Sequence, residues 1–374
     1  MKGRKIMKFT CDKKILQDSI SIVFKAINSA CAIDILKGIK IEARDYIKMS
    51  GSDLDISIES IFEADVFEEG SIVVDARIFG DIVRKLPDGP VEIETYNKNE
   101  LKISCLNTKF NILYLSSEGY PEIKKLDGGN SFAIYSKDLK NIIRSTIFAI
   151  SSNESRPILT GSKFEIEKSN LKIVSIDGYR LALKNQIIPE TDYEDFSFVV
   201  PGRALNELLM ILKDDETIVK VTISENNVMF AFDTFIINSR LLEGEFMDYN
   251  KFIPKNATIN VKANVKNLLD MVERASIIIN YDDPKIPIIL NIEEDEIRVE
   301  CISKKGNFDE SMPIEHHGEN LRIGVASRLL TDTLKGIDNE EAVFEFTTAQ
   351  SPCVIRPTEG DGFTYMVLPI RLKG

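Results

Sequence analysis

The chain has 374 residues, 43% of them hydrophobic and 28% charged, and a net charge of −12, a length and composition that predict two to three globular domains. No apolar run approaches the roughly 18–20 residues that span a bilayer, and the opening MKGRKIMKFT lacks the apolar centre of a signal peptide. Five scattered cysteines and two histidines, with no pair at ligand spacing, point to reduced thiols in a cytoplasmic chain and away from a disulfide framework or zinc site.

Residues 1–6 read either as an upstream start or as part of the fold, and Met7 opens the first clear strand, over 8–12. A helix over 13–28 follows, then strands at 38–43, 46–51, 57–65 and 71–75. A second helix over 76–86 is stopped by Pro87-Asp88-Gly89-Pro90. Alternation of apolar and polar residues predicts strands at 91–95, 101–106 and 110–115. The middle third repeats this plan from Phe132: a helix over 137–150, strands at 163–167, 171–175, 180–186 and 198–201, a helix over 203–212, and strands at 219–224, 227–233 and 235–240. The last third predicts helices over 265–278 and 327–336, with strands at 286–293, 296–302, 343–348, 352–357 and 364–371. His316 and His317 read as an exposed loop before Gly318.

Two signatures show that the thirds are copies. AINSACAIDILKG (26–38) and AISSNESRPILTG (149–161) share Ala, Ile, Ser, Ile, Leu and Gly at the same offsets, with a weaker third copy from Arg274. VVDARIFGDIVRKL (73–86), VVPGRALNELLMIL (199–212) and GVASRLLTDTLKGI (324–337) each place Val, two residues, Arg, then an apolar helix. Repetition in the same order predicts three copies of one α+β domain, spanning 1–128 (folded from about Met7), 129–253 and 254–374. Two helices cover too little for one large sheet. Each domain is therefore expected to hold a pair of smaller antiparallel sheets with both helices on one side.

The helical segments 12–28, 77–86, 137–150, 203–213, 262–274 and 328–336 carry a net +8 between them against −12 for the chain, which leaves −20 on everything else. Such charge also suits a plain solvated helix face. Domains joined by one repeated rotation form an arc that self-association can close into a ring. With the helices inside, a cationic concave surface would hold a duplex by its phosphates, without reading sequence. An enzyme needs a constellation. Asp177-Gly178-Tyr179-Arg180 supplies an acid and an arginine, but no partnered histidine, nucleophile elbow, glycine-rich phosphate loop or metal cluster accompanies it. A repeat scaffold that binds only proteins is the remaining alternative.

The span 7–372 resembles the bacterial sliding clamps, the beta subunits of the replicative DNA polymerase III. The resemblance rests on MKFT (7–10), RPILTG (156–161), SIDGYRLAL (175–183), EGEFMDYNKFIPK (243–255) and MVLPIRL (366–372). It implies a non-catalytic processivity factor without cofactor or metal, a head-to-tail homodimeric ring around duplex DNA. It also implies a pocket between the second and third domains for Gln-Leu-type peptides of the replicative DNA polymerase, the clamp loader and repair proteins. By motif, the pocket wall is Leu159, Ile176, Gly178, Tyr179, Arg180 and Leu181. Met247, Lys251 and Phe252 join from the linker, and Met366, Val367, Leu368, Pro369, Ile370 and Arg371 from the carboxy-terminal strand. Apolar anchors of the ligand would enter a concave apolar site with a polar rim. Expected DNA contacts are Arg77, Lys140, Arg144, Arg156 and Arg203, with Lys25 and Arg328 behind them. Expected seam residues are Phe110 and Ile112 against Ile277 and Ile278. The chain departs from the family pattern at Met247, where proline is frequent. It lacks an arginine in the loop NSACAID (28–34), and Lys373 and Gly374 extend past the usual end.

Overall fold

The structure is a computed structural model that describes residues 7–96, 99–123, 126, 128–189, 195–281, 283 and 285–372. Residues 1–6, 373 and 374, on which two expectations rested, lie outside the described residues. The first repeat runs β1 (Lys8–Asp12), α1 (Lys13–Val23), β2 (Gly38–Ala43), β3 (Ile47–Ser52), β4 (Ile56–Phe62), β5 (Asp65–Glu68), β6 (Gly70–Asp75), α2 (Ala76–Lys85), β7 (Pro90–Tyr96), β8 (Glu100–Cys105) and β9 (Thr108–Ser116). The second runs β10 (Asn130–Tyr135), α3 (Ser136–Arg144), β11 (Gly161–Glu167), β12 (Asn170–Ile176), β13 (Arg180–Ile187), β14 (Phe196–Pro201), α4 (Gly202–Ile211), β15 (Ile218–Ile223), β16 (Asn227–Phe232) and β17 (Phe235–Arg240). The third runs β18 (Ile259–Asn264), α5 (Val265–Asn280), β19 (Ile288–Ile292), β20 (Glu296–Ser303), β21 (Gly306–Pro313), β22 (Glu315–His317), β23 (Leu321–Val325), α6 (Ser327–Lys335), β24 (Glu341–Phe346), β25 (Cys353–Pro357) and β26 (Phe363–Val367).

Local chemistry sets the helix starts. Asp12 Oδ1 accepts from the backbone N–H of Lys14 at 2.8 Å and of Ile15 at 3.2 Å. Asp75 and Asn264 cap α2 and α5 in the same way, each through its side-chain oxygen. The caps aim an apolar stripe inward: Leu16, Ile20 and Val23 on α1, and Phe79 and Val83 on α2, are buried. Two helices stop earlier than expected. α1 gives way to a 3-10 turn at Phe24–Ala26. α3 ends at Arg144, and the Thr146 hydroxyl donates to the carbonyls of Ile142 (2.9 Å) and Ile143 (3.2 Å) beyond it.

The chain forms two compact units: Met1–Lys137 with Met210–Leu241, and Asp138–Leu209 with Leu242–Gly374. Unit one is built on a 13-stranded sheet, β10-β15-β16-β17-β4-β3-β2-β6-β9-β8-β7-β1-β5. Unit two has a nine-stranded sheet, β14-β11-β12-β13-β26-β25-β24-β18-β22, and a four-stranded sheet, β21-β20-β19-β23. The four-stranded sheet stays within the third repeat, as expected, but the two larger sheets are not confined to single repeats. Instead β17 pairs with β4 and β13 with β26, so the sheet of one repeat runs on into the next. Pairing satisfies edge N–H and C=O groups that an isolated sheet would leave open. His316 and His317 belong to β22, not to a loop, because Val261 and Asn260 of β18 offer them a paired edge. Within unit two, Phe148 packs edge-on against Tyr365 with ring centroids 5.6 Å apart, and the Tyr365 hydroxyl donates to Gly336 O at 2.9 Å.

Candidate functional site

Strand register assembles an apolar row in unit two. Ile176 stands opposite Leu181, Leu181 opposite Met366, and Met366 opposite Val354, so four side chains line up across β12, β13, β26 and β25. A second row sets Val174 opposite Leu183. These residues form one buried cluster with Tyr249, and half-buried Phe246, Met247 and Ile253 of the following linker pack against it. Leu159, in a 3-10 turn at Pro157–Thr160, is also buried. Tyr179 is 66% exposed and Phe252 51% exposed, so apolar surface continues outward from the row. Gly178 is exposed, and Leu368, Pro369 and Ile370 are half-buried. Lys251, exposed, pairs with Asp248 at 3.2 Å, and Arg371, which follows Ile370, is exposed.

The turn before β13 is fixed by its own aspartate. Asp177 Oδ1 accepts from the backbone N–H of Tyr179 (2.9 Å) and Arg180 (3.0 Å), and Gly178 takes a φ of +92° that suits glycine. The Arg180 side chain lies on the opposite sheet face from Leu181. Its Nε donates to Asp177 (2.9 Å), its Nη1 to Asp332 (2.8 Å), and its guanidinium lies 5.4 Å from the Phe148 ring centroid. Arg180 therefore braces the turn. Val367, next to Met366, likewise points away from the row, into the main core of unit two. The Leu368 N–H donates to Tyr179 O at 2.9 Å and the Ile370 N–H to Gly324 O at 2.7 Å, which ties the carboxy-terminal segment down.

The row rests on a charged rim. The Tyr249 hydroxyl donates to Glu165 Oε2 at 2.5 Å, and Lys163 lies 2.6 Å from Glu165 Oε1. Burial pushes the Tyr249 hydroxyl up, with Glu165 adding to it. Burial would raise the Glu165 carboxyl too, but Lys163, Tyr249 and Lys172 hold it below the usual range. Val354, Val174, Leu183 and Tyr249 belong to this site and were missed in the sequence. Leu183 could have been found, since it sits two residues from Leu181 in a strand and so shares its face.

The basic side chains fall into distinct settings. Arg77, Arg203 and Arg328 occupy the second residue of α2, α4 and α6, and all three are exposed. Arg156 is exposed before its 3-10 turn, while Lys25 and Lys140 are half-buried. Arg144 is engaged: its Nη2 donates to Asp338 Oδ1 at 2.6 Å. Asp338 also accepts from Asn141 Nδ2 (2.6 Å) and Lys184 Nζ (3.3 Å). Burial alone would raise the Asp338 carboxyl, but Asn141, Lys184 and Arg144 hold it below the usual range.

The expected seam residues lie on open surface. Phe110 is 37% exposed and Ile277 58% exposed, with Ile112 and Ile278 half-buried. Among the described residues, β9 pairs with β8 over Thr108–Leu113 and with β6 only from Tyr114 onward. β21 pairs with β20 alone among the described residues. Each thus offers a free strand edge.

None of the described helices is long and apolar enough to cross a membrane, and no described group of three or more His, Cys, Asp or Glu could hold a metal. Models of the DNA polymerase III beta subunit match in succession: the N-terminal domain over residues 7–124, the central domain over 133–248 and the C-terminal domain over 250–371. The beta sliding clamp of Bacillus subtilis (strain 168) is 34% identical over 376 residues, covering 98% of this chain and 100% of that one. The solved structure of the Bacillus subtilis DNA polymerase sliding clamp superposes with a TM-score of 0.95 at 33% identity, over 98% of this chain and 100% of that one. A putative DNA polymerase III beta subunit from Eubacterium rectale gives 0.93 at 34% identity, with the same coverage. With a three-domain clamp fold over its whole matched length, the chain belongs to the DNA polymerase III beta subunit family, the sliding clamps of DNA replication, which are non-catalytic accessory subunits of that polymerase.

Proposed function

We propose that two copies of this chain pair head to tail into a ring around duplex DNA, and that the apolar row of unit two tethers the polymerase and other proteins. The domains of this reading are 1–128, 129–253 and 254–374, and its setting is the cytoplasm. The observation that carries it is a pairing made twice and left open once. β17 pairs with β4 so that Ser239 faces Ile56, and β26 pairs with β13 so that Val367 faces Arg180. Ile56, Arg180 and Gly306 are the first residues of β4, β13 and β21, each after a short turn of three, three and two residues. β9 and β17 each follow a two-residue turn whose first residue has positive φ, +49° at Leu106 and +48° at Asp233. The third pairing of the series then joins β9 of one copy to β21 of another, with Ile112 facing Gly306 of the partner subunit. In that register Phe110 meets Phe308 of the partner subunit and Lys109 meets Asp309 of the partner subunit. An apolar pair and an opposite-charge pair both favour it, and the head-to-tail contact of two different free edges, made twice, closes the assembly.

The row Ile176–Leu181–Met366–Val354 supplies the tether. Leucine and aromatic side chains of a short peptide would pack on it between Tyr179, Phe252 and Leu368. Arg77, Arg203 and Arg328, one per repeat at the same helix position, would meet phosphates together with Lys25, Lys140, Arg144 and Arg156. Such contacts give strong salt dependence and no sequence preference. Solution mass by light scattering over a dilution series tests the assembly. A dimer of twice 42.2 kDa is expected, and a monomer at micromolar concentration would overturn the ring and leave a protein-binding scaffold.

A further inference from the structure

The chain builds its junction a second time, with different chemistry. Across β3, β4, β17 and β16, Ser52 stands opposite Ser57, Ser57 opposite Asn238, and Asn238 opposite Met229. This is the same series of pairings that aligns Ile176, Leu181, Met366 and Val354. The turns match too. Asp53 Oδ1 accepts from the backbone N–H of Asp55 (3.1 Å) and Ile56 (2.9 Å), as Asp177 Oδ1 does from Tyr179 and Arg180. The next residue has positive φ in both, +83° at Leu54 and +92° at Gly178. Leucine rarely adopts that conformation, so the turn is held there by its surroundings.

Two hydroxyls and a carboxamide therefore floor a cavity of about 180 Å³ in unit one, walled by Leu54, Pro121 and Ile123 and rimmed by Asp55 and Arg240. That volume exceeds the roughly 30 Å³ share of a water molecule several times over and admits a side chain. Ser52 is 2% exposed; its Oγ accepts from Leu54 N at 3.1 Å and lies 2.8 Å from Ser57 Oγ. Asn238 Oδ1 is buried and has no hydrogen-bond partner among the described residues. A buried acceptor left open selects for a ligand that brings an N–H.

We propose that this cavity binds a carboxamide, with Asn238 Oδ1 accepting from its N–H2 group and the Ser57 hydroxyl donating to its carbonyl oxygen. The source is a Gln or Asn side chain on an extended peptide segment, lying along this junction as the leucine-bearing peptide would lie along the other. Free glutamine carries the same group. A leucine side chain would leave Asn238 unpaired, and an ammonium, which has donors and no acceptor, would leave the Ser57 hydroxyl unpaired although Asp55 and Glu122 line the cavity beside Arg240.

The full-length chain, labelled with 15N-asparagine, is titrated with capped Gly-Gln-Gly, Gly-Leu-Gly and Gly-Lys-Gly and with free glutamine, reading the Asn238 and Asn227 side-chain signals. Both residues lie in unit one, so occupation of the apolar row in unit two does not move them. The Gln peptide is expected to shift Asn238 in a saturable way and to bind at least about tenfold more tightly than the Leu and Lys peptides, as sites built to pair a polar group reject analogues lacking it. Ser57→Ala should weaken the Gln peptide severalfold without altering the rest of the spectrum. Tighter binding of the peptide than of glutamine assigns a protein segment as the source, and equal binding assigns the free amide. An unmoved Asn238 signal, or Leu or Lys peptides binding as well as the Gln peptide, would overturn the proposal, whatever peptides do at the apolar row.

Discussion

Replacing Asp338 with Asn separates two roles of one carboxylate. Asp338 accepts from Asn141, Arg144 and Lys184. The Arg144 side chain is 59% exposed and its pair with Asp338 sits near solvent, so it contributes about 0.2–1 kcal/mol. Lys184 is different: its side chain is 15% exposed, burial already lowers its pKa, and its ion pair is with Asp338, 3.3 Å away. Leaving it with Ser145 alone costs about 1–3 kcal/mol. Asp338→Asn should therefore destabilise unit two by about 2 kcal/mol, or roughly 4–8 °C in Tm for a unit of about 200 residues. The folded pKa of Asp338 lies below its ordinary value, so its contribution is present above about pH 4 and fades as pH falls through the folded value. Lys184, lowered by burial, acts in the alkaline range, where stability rises as pH climbs toward its unfolded pKa. Calorimetry at pH 7 and pH 3 should show the gap between wild type and variant narrowing on acidification. Freed from Asp338, Arg144 should also strengthen DNA binding at low salt, with a steeper salt slope. A Tm change under 1 °C at pH 7, or a gap that persists undiminished at pH 3, would refute the reasoning.

Phe110→Lys places a charge opposite Phe308 of the partner subunit and should shift the sedimentation mass toward monomer, whereas Lys109→Glu should weaken the dimer by only about 0.2–1 kcal/mol and be rescued by Asp309→Lys. Phe110 is the cleaner site than Ile278, which packs against the core of unit two and would damage it when charged. Deleting residues 368–374, after β26, should abolish binding of a Gln-Leu-type peptide in a fluorescence titration while leaving unit two folded; a cut at Met366 would remove part of a strand paired on both sides. Leu54→Gly relieves a positive φ at an exposed turn and should raise the melting temperature of unit one, by about 1 kcal/mol in stability.

The sequence displays what is local and hides what is paired at a distance. The Val-x-x-Arg signature placed α2, α4 and α6 almost to the residue, because cap and stripe lie within a few positions of each other. The strands β21, β22 and β23 were not read. Gly306–Pro313 is NFDESMP after its glycine, a polar stretch that becomes a strand because β20 offers a paired edge over eight residues. Val354 escaped for a related reason: its place beside Met366 depends on the hairpin of β25 and β26, and its link to Ile176 passes through two further strands. The continuity of sheet between repeats is invisible in a repeat signature, since each copy reads as a self-contained domain. Arg144 looked like a free cation until the fold set Asp338 beside it, nearly two hundred residues on.

Retention on closed circular duplex DNA tests the central claim most directly. The chain, assembled on a nicked circle by a clamp loader and then passed over a sizing column at high salt, should remain with the DNA and be released when the circle is cut once. Loss from the intact circle at the same rate as from the cut one would contradict a ring that encircles DNA.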